Sequence, residues 1–154
     1  MAVTLTLPAP YHGMSHIWNL SANVGCDRAT CPNLPDDVAL VKYLISLNRQ
    51  WAPLVHAACN NPPMQLNDQF DAVLAFWITV FTTGWGSSIR GDIRVLVPAR
   101  GTEPSGILLI NDLAHQLSPV AWGQALGRYG LAHTSALPIG TSGALVSRTA
   151  IRRP

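Results

Sequence analysis

The clearest pattern along the chain is a helical repeat of large apolar residues near its middle. They recur at spacings of three and four residues, which places them on one face of a helix: Phe70, Val73, Leu74, Trp77, Ile78 and Phe81. Asn67 or Asp68 could cap the start of this helix, and Gly84 could end it. The pattern predicts a helix that is central to the core.

A second helix is predicted from about Asp36 to Asn48. Helical spacing is kept by five apolar residues: Val38, Val41, Leu44, Ile45 and Leu47. Asp36 and Asp37 are interpreted as caps, because carboxylates at a helix start accept hydrogen bonds from free N–H groups.

Alternation of apolar and polar residues predicts short strands elsewhere. Val3 to Leu7 fits a half-buried strand ended by Pro8 and Pro10, and Ile17 to Leu20 is a second extended candidate. Ile93 to Val97 also alternates, up to Pro98.

Two later segments are less clear from the pattern. In the stretch 107–117, Ile107 to Ile110 could form a strand and Asp112 to Leu117 a helical turn. A last short helix is predicted around Trp122 to Leu126.

These elements predict an α+β fold with a small core of two to three helices, short strands and long loops. We expect a single domain over residues 1–132. Residues 133–154 are dominated by Ser, Thr, Gly and Ala, and they predict an extended or mobile C-terminal arm.

The surface of this chain is expected to be unusually poor in charge. Charged residues make up 12% of the 154 residues, about half of the typical ~25%. This favours a surface that other protein subunits partly cover, although a compositional bias toward Ala, Arg, Gly and Pro explains it equally well. The net charge of +2 gives no electrostatic case for nucleic acid as a partner.

No targeting or membrane segment is expected. The first residues lack the basic and long apolar regions of a signal peptide, and the apolar run 72–81 is too short to span a bilayer. These features predict a soluble protein, and they leave export without a signal peptide open.

Three cysteines and one histidine are the candidate metal ligands. Cys26 and Cys31 lie in one loop, and His56 and Cys59 follow in a second pair. Four such ligands could hold a zinc ion. A disulfide between two of the cysteines and simple unpaired thiols are the alternatives.

Catalytic residues are not predicted. The histidines are scattered along the sequence, Glu103 is the single glutamate, and no G-x-S-x-G motif occurs. Candidate partner contacts are Trp85, between two glycines, and a small group of arginines: Arg90, Arg94 and Arg100. The alternatives are that Trp85 covers the core and that the arginines form a solvated edge.

Parts of the sequence resemble the peptidoglycan-binding-like domains. The resembling segments are N-L-S-A-N-V-G at 19–25, N-L-P-D-D-V-A-L-V-K-Y-L-I at 33–45, the helical stretch 70–81, I-R-G-D-I at 89–93 and V-P-A-R-G at 97–101. The family commonly has Gln where this chain has Lys42, its D-G order is reversed at Gly91 and Asp92, and its G-P-x-T element has no counterpart. The resemblance, over about residues 19–101, implies a small helical module that binds cell-wall peptides, of a kind found beside phage-tail and contractile secretion components.

The function expected on these grounds is a non-catalytic binding or structural module, peptidoglycan-binding-like, within a larger phage-like or secretion assembly. Its partners would be other protein subunits and peptidoglycan. It would be made in the bacterial cytoplasm, and assembled into a virion or exported. A cell-wall-active enzyme or its accessory domain is one alternative, and a zinc-stabilised interaction module is another.

Overall fold

The computed structural model describes residues 3–48, 64–85, 91–97 and 105–125. These residues form an α+β fold, as predicted, with two small antiparallel sheets and with four helices where two to three were expected. The elements are β1 Val3–Tyr11, β2 Met14–Asn19, β3 Val24–Gly25, α1 Pro35–Leu47, α2 Ala72–Trp85, β4 Asp92–Ile93, α3 Gly106–Leu117 and α4 Pro119–Gly123. The predicted C-terminal arm and the boundary at residue 132 lie outside the described residues.

Strands β1 and β2 form a hairpin whose turn is His12-Gly13. Both turn residues have positive φ, 45° and 87°, as a type I′ turn requires. The prediction that Pro8 and Pro10 end the first strand is wrong, since β1 continues to Tyr11. The ladder does change register between Thr6 and Tyr11, where two prolines supply no N–H donor.

Strands β3 and β4 form a ladder of two residues each. Gly25 lies opposite Asp92 at so short a distance that a Cβ on Gly25 would stand 2.6 Å from the Asp92 Cβ. The predicted strand 93–97 is therefore mostly wrong, because strand pairing covers Asp92 and Ile93 alone.

Helix α1 follows the predicted boundaries within a residue or two, but its aspartates are not both caps. The cap position is Leu34, with no side-chain hydrogen bond, and Pro35 begins the helix. Asp37 is fully buried and accepts hydrogen bonds from the preceding loop instead.

Helix α2 begins later than its apolar repeat. Asp71 caps it by accepting the Leu74 N–H at 2.8 Å, so neither Asn67 nor Asp68 is the cap and Phe70 precedes the helix. Gly84 lies inside the helix, which ends at Trp85. Trp77 and Phe81 are buried, as the prediction of a core helix required.

Helix α3 resolves the ambiguity at 107–117 in favour of a single helix. Ser105 caps it by accepting the Leu108 N–H, and this cap is a local signal for a helix start. The helix packs against α1, α4 and β2. Helix α4 lies about three residues earlier than predicted, since it begins at Pro119 and ends at Gly123.

One buried cluster joins the hairpin, α1, α2, α3 and α4. Within the described ranges, no helix combines the length and the apolarity needed to cross a membrane.

Candidate functional site

Of the predicted partner contacts, Arg94 is the one whose side chain the structure describes. It is 62% exposed, and its Nε donates to Asp92 Oδ2 at 2.8 Å. The hydrogen bond and the charge of Asp92 raise the pKa of Arg94. A guanidinium held at Nε still has its outer N–H groups available, which is the arrangement that binds a carboxylate or phosphate with little ordering cost.

The other predicted contacts fall largely outside the described residues. Arg90 and Arg100 lie in undescribed segments, and Trp85 is placed only as the last residue of α2. The Gly91 N–H donates to Thr82 Oγ1, which ties the start of β4 to the last turn of α2. This bond brings the backbone that carries Trp85 to the same end of the molecule as the β3–β4 ladder.

Asparagine and aspartate side chains fix the loops around that ladder. Asn33 binds the backbone N–H and C=O of Gly25 at once, both at 2.9 Å. Asn19 binds both backbone groups of Leu96 in the same way. Each side-chain amide therefore makes the pair of hydrogen bonds that a neighbouring strand would make with the same residue.

Asp37 fixes the loop on the other side of β3. Its two carboxylate oxygens accept hydrogen bonds from Ser21 N, Ser21 Oγ and Ala22 N. The residue is wholly buried, and these three donors replace the water that its carboxylate loses. Asp37 therefore holds the loop 21–22 against α1.

Two of the predicted zinc ligands are described, and both are free thiols. Cys26 is exposed and Cys31 is buried, so they do not form a disulfide with each other. Burial raises the pKa of Cys31, which keeps it a thiol. His56 and Cys59 lie outside the described residues, and the described ranges contain no group of three or more His, Cys, Asp or Glu able to hold a metal ion.

The structure brings together three histidines that the sequence analysis took to be scattered. His12, at the hairpin tip, makes a 2.8 Å contact through Nδ1 with Asp112 Oδ2 of α3. Asp112 Oδ1 accepts from Gln116, so the carboxylate is held between two partners.

His16 and His115 share one aromatic neighbour, and His115 lies three residues after Asp112 on α3. Their ring centroids are 5.1 and 4.9 Å from that of Trp122. Burial and the nearby His115 both lower the pKa of His16. We call His12, His16, Asp112 and His115 the histidine cluster. The cluster joins residues about a hundred positions apart, so no pattern of neighbouring residues could have predicted it.

A second group missed by the sequence analysis surrounds Lys42. This side chain is fully buried, and its Nζ donates to Asn67 Oδ1 at 2.7 Å and Asp71 Oδ2 at 2.5 Å. A signal was available here. Lys42 shares a helix face with Val38, Val41 and Ile45, which places a cation on the buried side.

Comparisons of the chain with protein-family models, with curated proteins and with solved structures give no match. The resemblance to peptidoglycan-binding-like domains therefore stays a prediction from the residues quoted for it.

Proposed function

We propose that this chain is a non-catalytic binding or structural module, peptidoglycan-binding-like, that works as a component of a larger phage-like or secretion assembly. Its binding surface is the Arg94 face, defined as the exposed residues that flank the β3–β4 ladder: Cys26, Leu34, Arg94 and Val97. Its ligands are other protein subunits and cell-wall peptide.

The observation that carries the proposal is that polar side chains around this face, two of them buried and one half-buried, bind the backbone of the loops beside it. Backbone groups of the neighbouring loops are bound by the side chains of Asn19, Asn33 and Asp37. Loops fixed in this way lose little freedom on binding, which is the property of a recognition surface.

The chemistry of the Arg94 face fits a peptide with a carboxylate. Arg94 offers an anchored cation. Val97, three residues further along the chain, is 45% exposed, and Leu34, which follows the Asn33 that binds Gly25, is 38% exposed. Apolar side chains beside an arginine are the composition of protein-contact surfaces. Cell-wall peptides carry carboxylates and small apolar side chains, which would match this combination.

Sedimentation of the purified chain with sacculi tests the wall-binding part. Arg94→Ala should weaken co-sedimentation by about tenfold, the usual cost of a lost charged hydrogen bond. Arg28→Ala is the matched control, because Arg28 is exposed in the loop after Cys26 and is not part of the face. Trp85→Ala should also weaken binding.

The outcomes separate the alternatives. Co-sedimentation that Arg94→Ala leaves unchanged removes the proposed face, and no co-sedimentation removes wall binding. Release of soluble muropeptides by the wild-type chain would favour the cell-wall enzyme. A bound zinc ion, found by metal analysis of protein purified without chelator, would favour the zinc-stabilised module.

A further inference from the structure

The group around Lys42 contains the three parts of an acyl-transfer reaction. An amine, an amide carbonyl and a carboxylate meet at the N-terminal side of α2. Nζ of Lys42 lies 2.7 Å from Asn67 Oδ1 and 2.5 Å from Asp71 Oδ2. The lysine side chain has no exposed surface.

We propose that Lys42 and Asn67 join through an intramolecular isopeptide bond, and that Asp71 carries the proton in the reaction. Asp71 takes a proton from the Lys42 ammonium, and the neutral Nζ attacks Cγ of Asn67. The new Nζ–Cγ bond forms and the Cγ–Nδ2 bond breaks. Nδ2 leaves as ammonium, because it takes both the proton from Asp71 and the second proton that Nζ gives up on becoming an amide nitrogen. The product is a secondary amide and one ammonium ion, so atoms and charge balance without any oxidant or cofactor.

Distance favours the attack. Because a C=O bond is about 1.23 Å long, the Asn67 Cγ lies no more than about 3.9 Å from Nζ. Reacting atoms held close to about 3.5 Å gain a large effective concentration.

The carboxylate is held in place for its role. Asp71 Oδ1 accepts the Leu74 N–H at 2.8 Å, while Oδ2 faces Lys42. Burial pulls the pKa of Asp71 upward, but the hydrogen bonds from Lys42 and Leu74 and the lysine charge outweigh it and lower the pKa. Asp71 therefore rests as a carboxylate, and it must take a proton from Lys42 before each attack.

The amide of Asn67 must also turn before the bond forms. A hydrogen bond to a carbonyl lies near the amide plane, whereas a nucleophile approaches from above that plane. The proton transfer and this rotation of the amide both slow the reaction, so the bond should accumulate in the folded protein with time. Once formed, it would tie α1 to the loop before α2 and restrict the unfolded chain as a disulfide does.

Intact-mass measurement of the full chain tests the proposal. Folded wild-type protein should become lighter than its sequence mass by about 17 Da, one ammonia, while protein kept in denaturant from the start should keep its full mass. Trypsin should fail to cut after Lys42, and the map should contain residues 29–49 joined to 50–90.

Three variants give the matched controls. Lys42→Arg keeps the cation without the amine, Asn67→Ala removes the acceptor carbon, and Asp71→Asn removes the proton carrier. Each should keep its full mass. Asn67 can also lose ammonia by closing on its own backbone, and such a ring would persist in Lys42→Arg and would give no joined peptides.

Two results would overturn the proposal. One is folded wild-type protein that keeps its full mass through prolonged incubation at neutral pH. The other is a mass loss that Lys42→Arg retains. The denaturant arm uses the wild-type chain, so the test does not depend on whether a variant folds.

Discussion

Buried asparagine side chains make hydrogen bonds to backbone groups that a neighbouring strand would otherwise make in this small fold. Asn111 is the fullest case: its Oδ1 accepts from Trp18 N and Trp122 Nε1, and its Nδ2 donates to Trp18 O and Ile107 O. Strand β2 pairs with β1 along one edge, and Asn111 satisfies its other edge at Trp18. A wholly buried amide with all these partners links the hairpin, α3 and α4.

Replacing Asn111 by Ala should cost about 3–5 kcal/mol in the free energy of unfolding, because both backbone groups of Trp18 and the Trp122 indole lose a buried partner. Urea unfolding followed by tryptophan fluorescence measures this. Gln116→Ala, on the exposed side of the same helix, is the control and should cost under about 1 kcal/mol. Equal losses would contradict the bridging role of Asn111.

Gly25→Ala should destabilise the protein by about 1–3 kcal/mol, since the added Cβ would press on the backbone and Cβ of Asp92. Thermal unfolding checks the change. Gly123→Ala is the matched substitution, because a Cβ there meets nothing within 4 Å. If the two glycine variants unfold alike, the close approach of β3 and β4 is not as described.

At the scale of the element, the helix starts are built in different ways. Helix α1 begins at Pro35 without a side-chain cap bond, whereas α3 begins with the Ser105 hydroxyl on the Leu108 N–H. Helix α4 begins after Ser118, whose side chain makes no such bond. The same residue type at two helix starts therefore has two different energetic roles.

Ser105→Ala should cost about 1 kcal/mol, because it removes the acceptor for one free N–H of α3. Ser118→Ala should cost clearly less, since no cap bond is lost. Chemical denaturation of the two variants side by side gives the comparison. A larger loss at Ser118 would show that α4 is the more sensitive helix start.

The β2 strand adds a dependence of stability on pH. The pKa of His16 is lowered from 6.5 in the folded protein by burial and by His115, so the unfolded chain binds more protons near that pH. Stability should be full above about pH 6.5 and should fall as the pH drops through 6.5 toward the folded pKa.

His16→Gln should flatten this part of the stability curve. Urea midpoints between pH 5 and 8 measure it, with Thr6→Ala as control, since Thr6 faces His16 across the hairpin and does not titrate. A variant that keeps the wild-type pH slope would assign the effect to another group.

At the scale of the molecule, sparse charge is the property that the proposed function must explain. The chain has 12% charged residues, and described exposed apolar side chains include Val120 at 73% and Leu66 at 41%. Surfaces of this kind are stabilised when other subunits cover them.

Assembly predicts that the purified chain self-associates in the absence of its partners. Native mass measurement over a range of concentrations should show species heavier than 16.6 kDa. Limited proteolysis should cut within residues 133–154 until a partner is present. A monomer at all concentrations with a protected C-terminal segment would contradict the assembly role.

The sequence by itself determined the elements whose signals are local. The apolar repeats located α1 and the body of α2, alternation located parts of the hairpin strands, and the mixture of both predicted an α+β fold. Cap residues were missed where a side chain was used elsewhere, as with Asp37, which binds the loop 21–22 in place of capping α1.

Only the tertiary structure decided what lies beside what. His12 and Asp112 are 100 residues apart, and Trp18 and Asn111 are 93 apart, so no window of neighbouring residues contains either pair. The sequence analysis missed Lys42, although helical spacing places it on the apolar face of α1, and its partners depended on how the segment before α2 folds against α1. Periodicity depends on residues that are close in the sequence, whereas a site is formed when distant residues pack together. Which distant residues meet depends on how all the side chains of the core fit together.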